Sequence, residues 1–118
     1  MAPIFRASLR QYTLGLSAIM CLALPAAQTQ AQTMFIVDAV PTAWRLQDYL
    51  GGAIHIWFTG SSCSNGNLTL LASVPEGVKD RLWSTVMSGK LARHPVIIYY
   101  RVEGGGCIID NFSLKETN

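Results

Sequence analysis

After residue 33 the chain is organised by short apolar stretches separated by breakers. Met34-Phe35-Ile36-Val37-Asp38 begins a strand that runs towards Val40 and ends at Pro41, which has no amide to give to a sheet ladder. Thr42 to Leu50 shows no clean period and fits either a short helical turn or an excursion between strands, broken by Gly51 and Gly52. Ala53 to Thr59 alternates, which predicts a strand with Ile54, Ile56 and Phe58 on one face and His55, Trp57 and Thr59 on the other. The run Gly60 to Gly66 is a loop, and its Asn65-Gly66 pair is a turn signal because both residues tolerate positive φ. Asn67 to Ala72 then returns as a strand with Leu68 and Leu70 on one face.

The period changes at Ser73. Ser73 and Glu76 have capping-box spacing, Pro75 fits the first turn of a helix, and Val78, Leu82 and Val86 recur every four residues beside Trp83, Met87 and Leu91. Lys79, Ser84 and Lys90 are expected to face solvent. Gly89 marks either a close contact or a local break, and Pro95 makes His94 the expected exit. Val96 to Val102 is the strongest strand signal in the chain, and Gly104 to Gly106 permits a reversal into a last strand from Cys107 to Leu114. The predicted order is βββαββ in one domain over residues 34–114. It fits a mainly β fold with one helix: a small five-stranded barrel of the oligonucleotide/oligosaccharide-binding (OB) type, with an open α+β sheet as the alternative.

The first 33 residues change the electrostatic picture. Arg6 and Arg10 precede an uncharged stretch from Leu14 to Leu24, and small residues follow, the order of a secretion signal over residues 1–27 with cleavage between 26 and 31. The apolar stretch is shorter than the roughly 20 residues a membrane span needs, so no membrane anchor is expected. Removal of the leader takes two of nine basic residues, leaving seven against seven acidic ones. A net charge near zero gives no general attraction to nucleic acid. Export also leaves Cys63 and Cys107 as the remaining thiols in an oxidising compartment, periplasmic or extracellular, and predicts one disulfide between them. The alternatives are two buried thiols or an intermolecular bond. A metal site would need more ligands than His55 and His94 supply at this spacing, so no metal and no cofactor are expected.

The run Leu82 to Tyr100, Leu-Trp-Ser-Thr-Val-Met-Ser-Gly-Lys-Leu-Ala-Arg-His-Pro-Val-Ile-Ile-Tyr-Tyr, resembles the helix-to-strand region of the subtilase cytotoxin B subunit family. Cys107-Ile108-Ile109 followed by Phe112 resembles the ending of small bacterial periplasmic proteins of that kind, and the likeness spans roughly residues 52–114. It implies a five-stranded barrel with a helix, assembly into pentamers, and binding of cell-surface glycans. The glycan-binding serine of that family corresponds loosely to the stretch Thr59 to Ser62.

Three functions compete on the residues. A noncatalytic binding module for a glycan or a protein surface would use Trp57, Thr59, Ser61 and Ser62, since an indole stacks on a sugar face while hydroxyls give directed hydrogen bonds. A structural or assembly subunit, forming a homo-oligomer or an accessory complex, would use exposed aromatic residues drawn from Trp44, Tyr49, Trp83, Tyr99 and Tyr100. An enzyme would start from His55 or His94 with Asp48, Glu76, Asp80 or Asp110, but no nucleophile or metal arrangement accompanies them, and no catalytic activity is expected.

Overall fold

The computed structural model describes residues 31–116; the expected leader over residues 1–27 lies outside them. Six strands form one sheet: β1 (Met34–Ala39), β2 (Arg45–Asp48), β3 (Ile54–Trp57), β4 (Leu68–Leu70), β5 (Val96–Glu103) and β6 (Gly106–Leu114). One helix, α1 (Glu76–Ala92), connects β4 to β5. The order across the sheet is β1-β5-β6-β4-β3-β2, antiparallel at every step except β4 to β6, which is parallel.

The predicted five-stranded OB-like barrel is therefore incorrect. The sheet is open and mixed, with β1 and β2 as its two edges, and it carries a sixth strand where Thr42 to Leu50 gave no clear period. The barrel and the toxin-subunit fold implied by the resemblance fail together here. The reason lies in the link between the edges. Pro41 ends β1, residues Pro41–Ala43 form a single 3₁₀ turn, and Pro41 and Trp44 are buried. The turn packs against α1, where Lys90 Nζ donates to the Trp44 carbonyl, and no ladder pairs β1 with β2.

That link also forces curvature. Five inter-strand spacings of roughly 4.8 Å would set the edges of a flat sheet about 24 Å apart. The six residue steps from Ala39 to Arg45 reach about 20–22 Å at most when fully extended, and the 3₁₀ turn makes them shorter. The sheet must curl, and its concave side holds Ile56, Leu68, Ile98, Val96 and Tyr100.

Helix α1 covers this side with Leu82, Val86 and Gly89 buried. Trp83, Met87 and Leu91, grouped with the apolar side by their spacing, are instead exposed, Leu91 by 80%. Two lysines expected in solvent are held against the protein. Lys79 is buried, its ammonium donating to Glu76 Oε1 at 2.6 Å, and Lys90 Nζ donates to the Trp44 carbonyl at 2.7 Å. The Ser73 capping box does not form: Pro75 is the N-cap and no side chain caps the helix. At the other end Arg93 adopts the left-handed conformation and His94 N–H donates to the Gly89 carbonyl, so the helix closes one residue before the expected exit.

Gly89 is a close contact, not a break. A Cβ there would lie 2.5 Å from Val96 Cγ2 and 3.0 Å from the His94 carbonyl oxygen. In β6 the register slips between Tyr99 and Tyr100, whose partners are Asn111 and Ile109. The extra residue returns Phe112 to the core after Ile109.

Cys63 and Cys107 form the expected disulfide across a sequence separation of 44, with Cα atoms 6.3 Å apart. Loop-closure entropy assigns such a link about 4 kcal/mol. Replacing either cysteine with serine is expected to lower Tm by roughly 10 °C or more in nonreducing thermal melts. Gly89→Ala is expected to destabilise by about 1–3 kcal/mol in denaturant titration, although alanine is the better helix former, because overpacking exceeds the gain in propensity.

Candidate functional site

Strand β3 sends Ile54 and Ile56 inward and His55 and Trp57 outward, as alternation requires. The alternation then stops. Phe58 takes φ 61° and its amide donates to the Asn65 carbonyl, which turns its ring outward to 52% exposure and turns Thr59 into the protein. The sequence pattern placed these two residues on the opposite sides. A left-handed phenylalanine is a strained conformation that the surrounding loop must hold.

The loop from Phe58 to Asn67 supplies that hold. Thr59 Oγ1 donates to the Gly66 carbonyl at 2.7 Å and accepts from the Ser61 amide, and Ser61 Oγ accepts from the Cys63 amide. Asn65 and Gly66 both have positive φ, and a Cβ on Gly66 would lie 2.7 Å from the Thr59 nitrogen. Thr59 and Ser61 thus spend their hydroxyls inside the loop. Ser62 is exposed, with Oγ 3.3 Å from the Tyr100 hydroxyl. Of the four residues expected to bind ligand, Trp57 and Ser62 reach the surface described next, while Thr59 and Ser61 build the loop between them.

The outward face of β2 and β3 carries an aromatic row. The Tyr49 and His55 rings meet edge to face at 4.6 Å, and His55 and Trp57 stack at 5.9 Å. Arg45, opposite Trp57 in the register, holds its guanidinium 5.3 Å from the Trp57 ring and 5.5 Å from the Phe58 ring. Tyr49 is 41% exposed, and Trp57 is half-buried with its indole Nε1 buried and unpartnered among the described residues. Sequence reasoning missed Arg45 and Phe58. Arg45-Leu46-Gln47-Asp48 has one apolar residue in four and gives no period that would signal the first, and nothing local signalled the second.

This row adjoins a cleft of about 260 Å³ beside the disulfide, lined by Ser62, Ser64, Asn67, Thr69 and the Gly105–Gly106 backbone. His55 joins the two. Its Nδ1 donates to Asn67 Oδ1 at 3.1 Å and lies 3.2 Å from Thr69 Oγ1. A larger groove of about 480 Å³ runs between α1 and β6, past Arg81, Asp110 and Phe112. Asp110 is ion-paired with Arg101, and Glu76 with Lys79. Among the described residues no three His, Cys, Asp or Glu side chains gather as a metal would need, and no helix is long and apolar enough to cross a membrane.

Comparison with family models, with curated proteins and with solved structures finds no match to this chain.

Thr59→Val keeps the shape of the side chain and removes its bond to Gly66. It is expected to cost about 1–2 kcal/mol in chemical denaturation and to loosen Phe58, seen as faster hydrogen exchange at the Phe58 and Gly66 amides.

Proposed function

We propose that this chain is an exported, noncatalytic binding module, and that it recognises a glycan through the aromatic row on β2 and β3 and the adjoining hydroxyl-lined cleft. The observation that carries this reading is the continuity of the two surfaces through His55 and its partners Asn67 and Thr69. Sugars present apolar C–H faces beside rings of hydroxyls. Exposed aromatic faces take the first, and closely spaced side-chain hydroxyls, amides and backbone groups take the second.

The strained Phe58 gives independent support. Its left-handed backbone sets the side chain outside the core, exposed beside the Arg45 guanidinium. Strain held in place at an exposed aromatic residue is what a preorganised contact requires. Export is supported by the disulfide, which persists in oxidising compartments.

The test is a glycan array probed with the natively processed chain, followed by calorimetry on any hit. Phe58→Gly and Tyr49→Ala are each expected to weaken binding about tenfold or more. Phe58→Gly is further expected to leave Tm unchanged or higher, because glycine relieves the backbone strain. Absence of any carbohydrate signal above controls would reject the reading.

A further inference from the structure

The two edges of the sheet differ in chemistry. Edge strand β2 is short and carries Arg45 and Asp48, charges that keep an edge in solvent. Edge strand β1 has six residues, contains no lysine or proline, and exposes Met34 (53%), Phe35 and Ile36 (59%). Its one charge, Asp38, is tied to Lys115 Nζ at 2.6 Å. A long apolar edge without such protection is a template for another strand.

We infer that the occupant of the β1 edge is the β1 edge of a second copy of this chain, paired antiparallel about a twofold axis at Phe35. The strand is complementary to itself in that register. Met34 falls opposite Ile36 on the outer face, Phe35 opposite Phe35 on the concave side, Thr33 opposite Val37, and Gln32 opposite Asp38. No like charges oppose each other, and every exposed apolar side chain of the edge meets an apolar partner. Phe35 already stacks on the buried Tyr100 at 5.5 Å, so two Phe35 rings at the axis extend an existing aromatic stack into the interface. Pairing β1 with β2 of another copy would instead set Met34 and Ile36 against a strand that bears Arg45, Gln47 and Asp48. The near-neutral charge of the chain after residue 31, seven basic against seven acidic residues, favours self-association. The inference does not depend on the ligand surface, which lies towards the other edge.

Sedimentation equilibrium on the natively processed chain tests it, with a monomer–dimer equilibrium expected below about 100 µM. Met34→Lys and Ile36→Glu, at exposed positions, are each expected to raise the dimer dissociation constant about tenfold. The double variant places the two introduced charges opposite each other across the axis and is expected to recover dimerisation, with circular dichroism confirming the fold in all three. Phe35→Cys is expected to crosslink two chains under mild oxidation, whereas Asp38→Cys is not. A monomer at all concentrations up to about 1 mM, a closed ring of more than two copies, or a dimer indifferent to both single charges would overturn the inference. So would failure of the Phe35→Cys crosslink in a dimeric sample.

Discussion

The sheet has two antiparallel halves, β1-β5-β6 and β4-β3-β2, which meet along one parallel contact whose register is the single pair Thr69 and Ile108. Parallel pairing is slightly weaker per residue than antiparallel, and this one is short. The Cys63–Cys107 bond lies beside it and ties the loop before β4 to the start of β6. Everything else depends on that join. The concave core exists only if Leu68 and Leu70 on one half face Cys107 and Ile109 on the other, and α1 rests on the surface the two halves make together.

The same join places the candidate site. The loop from Phe58 to Asn67 is anchored at Cys63, and its internal bonds from Thr59 and Ser61 hold Phe58 in its left-handed form. The cleft beside the disulfide has one wall from that loop and one from the β5–β6 turn, so its shape depends on the covalent link as well as on the sheet. Arg45 and Tyr49 belong to β2 and the turn after it, and reach the row only because β2 pairs with β3 in a register that sets Arg45 opposite Trp57.

Much of the fold was legible in the sequence. Alternation located β3 and β5, the Gly104 to Gly106 reversal located β6, four-residue spacing located the buried Leu82 and Val86, and the cysteine count pointed to the disulfide. The misreadings have physical causes. Strand β2 is short, has one apolar residue in four and lies at an edge, so its burial signal is weak. Lys79 was assigned to solvent by its charge, yet its stem is covered and its ammonium meets Glu76 at the surface. The barrel failed because closure needs a ladder between β1 and β2, and a local pattern of apolar positions does not say which strand edges pair. Ser62 was legible as a loop residue, and alternation set Trp57 on the face opposite Ile54 and Ile56. Phe58 was not legible as a surface group, because alternation assumes an extended backbone and the Asn65–Gly66 turn imposes a left-handed one across the loop.

The short link from β1 to β2 gives the molecule an unusual kind of size control. Its curvature is fixed by a tether and not only by strand twist, so the room under the helix is limited by how far five residues can stretch. Related chains that lengthened this corner would gain a wider, flatter trough and would need bulkier groups at Val86, Gly89 and Val96 to fill it. Chains that shortened it would have to shed volume at those same positions.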